Sequence, residues 1–165
     1  MGEADRLAQL VVERLAALTL FARQWLDAAS AEDVVQEALT SLLMQRKSPD
    51  DPVAWMFRAV RNAAIDHCRT SANRWRREQS VAEARGEWFE SRMDAAIDAR
   101  SAEQALKQLE PTDRQIIVLR IWGDLGLAAI ARILEMGTTT VHDRYAAALQ
   151  KLRTALEKPC KKMTP

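Results

Sequence analysis

Leu127-Ala-Ala-Ile-Ala-Arg-Ile-Leu134, then Glu135-Met-Gly137, then Thr138-Thr-Thr-Val-His-Asp-Arg-Tyr-Ala-Ala-Ala-Leu149 is the stretch on which the reading of the fold turns. Leu127, Ile130, Ala131 and Leu134 stand at i, i+3, i+4, i+7, which puts apolar side chains on one face of a helix. Gly137 then allows a tight turn. Val141, Tyr145, Ala148, Leu149 and Leu152 repeat the spacing in a second helix. That leaves Thr138, Thr139, Thr140, His142, Asp143 and Arg144 at its solvent-facing start, where helix-turn-helix motifs meet base edges. An ordinary helical hairpin shows the same periodicity, so this stretch alone leaves both readings open.

The composition around it is that of a globular, mostly helical chain. The 165 residues are 48% hydrophobic and 28% charged, with only five Gly and five Pro, which argues against a loop-rich all-β fold. The net charge of +1 hides a segregation. Residues 58–77 carry six Arg against one Asp, net +5; residues 78–104 carry three Arg against seven acids, net −4; residues 105–165 carry ten basic against six acidic groups, net +4. Two basic bodies therefore flank an acidic connector. Cys68 and Cys160 are too few for a disulfide framework or a zinc site, and neither His67 nor His142 lies at ligand spacing from a second candidate. No metal and no cofactor is expected. Neither a signal-peptide core nor a run of ~18 apolar residues is present, so a cytoplasmic protein that does not cross a membrane is expected.

From the start of the chain, Leu7, Leu10, Val11, Leu15, Leu18, Phe21, Ala22 and Trp25 follow the helical period and predict a long amphipathic helix over 5–26. Ser30 reads as the N-cap of the next, with Glu32 and Asp33 in its first turn suiting the positive end of the helix dipole. Val34, Val35, Ala38, Leu39 and Leu42 make its buried stripe. Asp33, Gln36, Glu37 and Thr40 lie opposite, and the like charges at i, i+4 cost an isolated helix a few tenths of a kcal/mol. A binding partner would relieve that cost, although a solvated acidic face is the simpler reading.

Residues 46–52 are a loop, and Pro52 is well placed to begin a third helix. Val53, Met56, Phe57, Val60, Ala64 and Cys68 give its core side. Trp55, Arg58, Arg61, Asn62, Ile65 and Arg69 form a second row, followed by Arg74, Arg76 and Arg77. Guanidinium groups suit phosphates, and an indole and a carboxamide beside them can stack on and hydrogen-bond an unstacked base. The competing reading is that Trp55 packs on a neighbouring helix and the arginines are merely solvated. Residues 78–102 are polar, acidic and weakly periodic, with Trp88-Phe89 as an isolated aromatic pair, and read as a linker. Periodicity returns with Ala105, Leu106 and Leu109. Pro111 breaks the chain there, and Thr112 can cap a helix carrying Ile116, Ile117, Val118, Leu119 and Ile121. The basic tail after Leu156 is expected to fray.

Taken in order, these pieces resemble the sigma factors of bacterial RNA polymerase, specifically the extracytoplasmic-function (ECF) group. Ala31-Glu-Asp-Val-Val-Gln-Glu37 is similar to that family's core-binding helix. Ala54-Trp-Met-Phe-Arg-Ala-Val-Arg-Asn-Ala-Ala-Ile-Asp-His67 is similar to its promoter-melting, minus-ten-reading helix. Leu109-Glu-Pro-Thr-Asp-Arg-Gln-Ile-Ile-Val-Leu119 through Lys151-Leu-Arg153 is similar to its minus-thirty-five-reading domain. The resemblance implies that Asp33, Gln36 and Glu37 bind the clamp helices of the polymerase β′ subunit. It implies that the loop 46–52 with Trp55, Arg58, Arg61, Asn62, Arg69, Arg74, Arg76 and Arg77 opens the duplex and captures a flipped minus-ten base. Residues Thr138, Thr139, Thr140, His142, Asp143 and Arg144 would read the minus-thirty-five duplex. Core RNA polymerase, including its β subunit, and promoter DNA are the implied partners, with an anti-sigma factor left open as a third.

Several positions depart from the family pattern. Glu135 stands where Gly is usual, and Gly137 where a Ser cap is usual. His142 and Asp143 replace a common Lys and Ser, and Ala146-Ala147 replace residues that are often basic. Each lost cation removes a counterion-release contribution, so a weaker grip on phosphates is expected. The expected fold class is all-α, in two small helical domains: 1–77, which binds the core enzyme and melts the minus-ten element, and 103–165, which carries the helix-turn-helix, joined by the linker 78–102. No enzymatic activity is expected. A helix-turn-helix repressor with a dimerising first domain is one rival; the exposed faces are charged rather than self-complementary and apolar, which speaks against it. A hydrolase using Asp66 and His67 is another, but neighbours on a helix point about 100° apart and no nucleophile stands at a matching spacing.

Overall fold

Asp27, not Ser30, begins the second helix. Its carboxylate accepts a hydrogen bond from the Ser30 N–H at 2.8 Å, and this bond holds the Asp27 carboxyl below the usual aspartate range, against a smaller opposing effect of burial. A depressed carboxyl stabilises the fold above its ordinary pKa, and that stabilisation is lost as the pH falls through the lowered value. The earlier start places Glu32 and Asp33 beyond the first turn, where the helix dipole has little hold on them. Asp27→Ala should cost about 1 kcal/mol, readable as a lowered denaturation midpoint at neutral pH whose difference from the parent shrinks in acid.

The computed structural model describes residues 2–77 and 96–157. Among them are seven helices and no strand: α1 (Glu3–Ala22), α2 (Ala28–Leu43), α3 (Pro52–Arg77), α4 (Ala96–Lys107), α5 (Pro111–Ile121), α6 (Leu127–Leu134) and α7 (Thr138–Glu157). The fold is all-α. The aromatic pair Trp88-Phe89, most of the acidic connector, and the basic tail with Cys160 lie outside the described residues. α4 begins at Ala96, inside the stretch read as linker.

The helices α1, α2 and α3 pack mutually as one body. Leu18, Phe21, Val35, Met56, Phe57 and Val60 are its largest fully buried side chains, each worth about 1.5–3 kcal/mol in apolar transfer. Phe21 meets Trp25 edge-on at 5.2 Å and Phe57 at 5.6 Å between ring centroids. The α1–α2 corner is closed by the buried Arg23, which donates from Nη1 to the Leu26 carbonyl at 3.1 Å. Pro52 does start α3. Asp51 caps that helix, its Oδ1 accepting from the Ala54 N–H at 3.0 Å. The stripe on α1 is longer than its burial: Leu10 and Leu15 are exposed.

The helices α4 to α7 form the second body, with α7 against α4, α5 and α6. Pro111 does not break the chain here. It is the first residue of α5, with Glu110 rather than Thr112 in the capping position, because its fixed φ suits a helix start and the missing N–H is not required there. Gly123 follows that helix, and a Cβ there would lie 2.6 Å from the Leu119 carbonyl oxygen. A second small cluster, Leu106, Leu109, Ile117 and Ala148, holds α4 to α5 and α7.

The two bodies share their main core. α6 packs on α3 and α5 on α1, so that Ile116, Leu119, Ile130, Ile133 and Leu134 belong to one apolar cluster with Leu18, Phe57 and Val60.

Candidate nucleic-acid and polymerase interfaces

Val34, Val35, Ala38 and Leu42 turn one side of α2 into the core, which obliges the opposite side to face out. Asp33, Gln36 and Glu37 are all exposed there and, with Thr40 and Ser41, line a shallow open groove. The Thr40 hydroxyl donates to the Gln36 carbonyl at 2.9 Å, so it is satisfied within the helix. Leu43 and Met44 continue the same face by the i, i+7 spacing and are 68% and 79% exposed. Apolar side chains this open at the end of an acidic face were not anticipated from periodicity, which assigns an apolar residue to the core by default.

On α3 the second row divides. Arg58, Asn62 and Arg69 are exposed, while Trp55, Arg61 and Ile65 are half-buried. Trp55 packs against the main cluster, so the indole has a structural role whatever else it touches. Arg69 Nη1 lies 3.8 Å from Asp66 Oδ1 one turn away. Arg74, Arg76 and Arg77 belong to the last turns of α3, and their side chains lie outside the described set. Two of the row's arginines are engaged by the other body. Arg58 Nη2 donates to Glu135 Oε1 at 3.1 Å, and Arg61 Nε donates to Gln115 Oε1 at 3.1 Å. Asp51 Oδ2, below the start of α3, lies 3.7 Å from Arg132 Nη2 of α6.

The helix-turn-helix is α6, its turn and α7. Its left-handed residue is Glu135, at φ 57° and ψ 44°, not Gly137, and no described glycine has a positive φ. Holding a side chain in that conformation costs roughly 1–2 kcal/mol. The turn compensates with the Met136 N–H, which donates to the Ala131 carbonyl at 2.9 Å. Gly137 instead leads into α7, its carbonyl accepting from the Val141 N–H at 3.0 Å; a Cβ there would make only ordinary contact, 3.6 Å from Thr140 Oγ1. Val141 and Ala148 are fully buried and fix the helix's rotation. Thr138, Thr139, Thr140, His142 and Asp143 are exposed, with His142 Nδ1 3.4 Å from Asp143 Oδ1.

Arg144 is differently placed. Its Nε donates to Asp113 Oδ1 at 2.7 Å, and Lys151 Nζ approaches the other carboxylate oxygen at 3.6 Å. Asp113 is buried at 4% exposure, so a carboxylate inside α5 clamps the recognition helix through two cations. Nothing beside Arg144 on α7 marks this role, because its partner is 31 residues away. Asp66 and His67, the pair a hydrolase would need, are both exposed, and the Asp66 carboxylate faces Arg69. Among the described residues, no helix is long and apolar enough to cross a membrane.

Comparison with known proteins agrees with this layout. Residues 10–76 match the Sigma-70 region 2 family and residues 105–154 the Sigma-70, region 4 family. The chain is 32% identical to the ECF RNA polymerase sigma factor SigL of Mycobacterium tuberculosis, over 94% of this chain and 92% of that protein. It is 30% identical to the RNA polymerase sigma-E factor of Streptomyces coelicolor, over 94% and 89% of the two chains. The fold is shared with the sigma factor RpoE of Bartonella quintana, solved with the anti-sigma factor NepR: the TM-score is 0.72 at 20% identity, over 94% of this chain and 97% of that one. A relative this similar over nearly its whole length, with both sigma regions matched in order, means that the chain belongs to the extracytoplasmic-function sigma factors, non-enzymatic proteins that bind core RNA polymerase and direct promoter-specific initiation of transcription.

Proposed function

We propose that this sigma factor divides its work among three surfaces. Asp33, Gln36 and Glu37, with Leu43 and Met44 at the end of the same face, bind the β′ clamp helices of core polymerase, the upstream body reaching the β subunit. The loop 46–52 with Trp55, Arg58, Arg61, Asn62, Arg69, Arg74, Arg76 and Arg77 opens the minus-ten element and captures its non-template strand. Thr138, Thr139, Thr140, His142 and Asp143 read the minus-thirty-five duplex, and Arg144 holds their helix in register through Asp113 while its remaining donors face the phosphates. The domain boundaries of this reading are those of the sequence, 1–77 and 103–165, with α4 extending the second toward the connector. An anti-sigma factor is a further partner, as for the Bartonella RpoE. Acting on chromosomal promoters places the protein in the cytoplasm.

The observation that carries this reading is that two different exposed polar faces stand on two different bodies. Arg58, Asn62 and Arg69 line one side of α3, and Thr138 to Asp143 form the open start of α7. Guanidinium and carboxamide groups on an open helix suit a strand whose bases are accessible, whereas a helix start held out from an anchored second helix suits a major groove.

The test separates the two faces with exposed residues only, so that folding is not at stake. Thr139→Ala/His142→Ala should weaken the footprint over the upstream element by about 1–3 kcal/mol if either residue meets a base edge. It should leave run-off transcription from a pre-opened promoter bubble intact. Arg58→Ala/Asn62→Ala should do the reverse, keeping the upstream footprint while initiation from duplex promoters falls roughly tenfold or more. Equal impairment of both templates by both variants would show that the work is not divided in this way.

A further inference from the structure

We infer that Asp143 determines base preference at one position of the upstream duplex element, by accepting a hydrogen bond from an exposed base amino group, cytosine being the preferred base. The inference deepens the duplex-reading role proposed above for α7 and rests on it. Val141 has no solvent exposure and fixes the rotation of that helix. Successive residues turn by about 100°, so Asp143, two positions on, points almost directly away from the core. Thr139, Ala146 and Gln150 stand at i−4, i+3 and i+7 from it and are exposed with it. That row is the ridge a major groove would receive, and Asp143 is its one charged member.

The cations that adjoin the ridge in sequence, Arg144 and Lys151, are turned elsewhere. Arg144 Nε donates to Asp113 Oδ1 at 2.7 Å, and Lys151 Nζ lies 3.6 Å from the other oxygen of the same carboxylate. The Asp113 side chain is only 6% exposed, so both are drawn toward the body of the domain. A guanidinium or ammonium group in the ridge would read guanine through its O6 and N7. Here the ridge offers a hydroxyl, a methyl group, a carboxamide and a carboxylate instead.

An ionised carboxylate accepts hydrogen bonds and donates none. In the major groove the donors it can meet are the amino groups of cytosine and adenine. Adenine's amino group stands beside N7, whose lone pair would face the second carboxylate oxygen; cytosine's stands beside a C–H edge, which makes cytosine the better partner. Guanine presents only the acceptors O6 and N7, so the same carboxylate rejects it. Asp143 therefore selects by exclusion as much as by attraction. His142 Nδ1 lies 3.4 Å from Asp143 Oδ1, and a carboxylate has about four acceptor sites, so that contact orients the group without filling it. With Ala146 and Ala147 where basic residues are common, little sequence-independent attraction competes with the selection.

The test uses the full chain reconstituted with core polymerase. Run-off transcription of fragmented genomic DNA, with the starts sequenced, supplies a promoter. That promoter, randomised over its upstream element, is then offered to the parent and variant holoenzymes, and the templates retained in heparin-resistant complexes are sequenced. The parent should favour cytosine over guanine at one position by about 5-fold or more. Asp143→Ala should flatten that position and leave the preferences at the others. Asp143→Asn keeps the size of the side chain and adds a donor; since a carboxamide pairs with adenine N6 and N7, the favoured base at that position alone should move to adenine. A cytosine preference missing from the parent, or kept by either variant while overall binding rises uniformly, overturns the inference. If Thr139→Ala/His142→Ala still alters the upstream preferences in that event, the duplex-reading role of α7 stands; if no variant moves any position, both fall together.

Discussion

Phe21→Ala should lower the stability of the protein by about 3–5 kcal/mol, the usual cost of emptying an aromatic site in a packed core. For a chain of this size that corresponds to a fall in melting temperature of roughly 6–20 °C. Phe21 has no solvent exposure, and it stands between Trp25 and Phe57 in two edge-to-face contacts, each adding about 0.5–1.5 kcal/mol beyond area burial. The loss falls on the junction of α1 with α3, the helix that carries the row proposed above to read the opened strand, so promoter opening should fail at temperatures where the parent still works. Thermal denaturation followed by circular dichroism reads the first effect, and run-off transcription across the same temperatures reads the second. A shift of only a degree or two would mean that Leu18 and Val60 collapse into the space and that the aromatic cluster is not what holds the junction.

The second large effect is on association rather than folding. Asp33→Arg/Glu37→Arg should abolish co-purification with core polymerase while changing the melting temperature by no more than a degree or two, since substitutions at exposed positions commonly stay within ±0.5 kcal/mol. Both residues are exposed one turn apart on α2, and neither has a cationic partner in the described ion pairs. Reversal turns a like-charged acidic pair into a like-charged basic one, so the helix gains nothing and loses nothing locally. Only a partner surface of opposite charge registers the change. Retention of polymerase binding by the double variant would remove the acidic pair from the interface and leave Leu43 and Met44, at the end of α2, as the surface to test.

What was legible in the chain was whatever depends on neighbours along a helix. Leu127, Ile130, Ala131 and Leu134 declare α6 by spacing alone, and three of the four are buried. Val34, Val35, Ala38 and Leu42 do the same for α2. Helix starts were harder, because several residues near each start could serve. Asp27 and Ser30 can both cap, and the side chain that reaches an N–H three residues on is Asp27's; Pro111 is compatible with both an end and a beginning. Periodicity also overstates burial. Leu10 and Leu15, midway along α1, and Ile121 at the end of α5 obey the period yet are exposed. The polar contacts between helices far apart in the chain were not legible at all. Arg58 with Glu135, Arg61 with Gln115 and Arg144 with Asp113 join residues 77, 54 and 31 apart, and nothing local to either partner marks the other.

The shared core also bears on synthesis. The ribosome delivers about 5–20 residues per second, and Glu135 follows Arg58 by 77 residues. For roughly 4–15 s the emerging α1–α3 body therefore has its own helices but not α5 and α6, and the apolar side of α3 that α6 will cover is open to water. During that interval the nascent chain offers an apolar surface on α3 that the finished protein hides against α6. A chaperone or an early-arriving partner acting on this sigma factor meets it in that window, before the second half of the molecule has closed over the first.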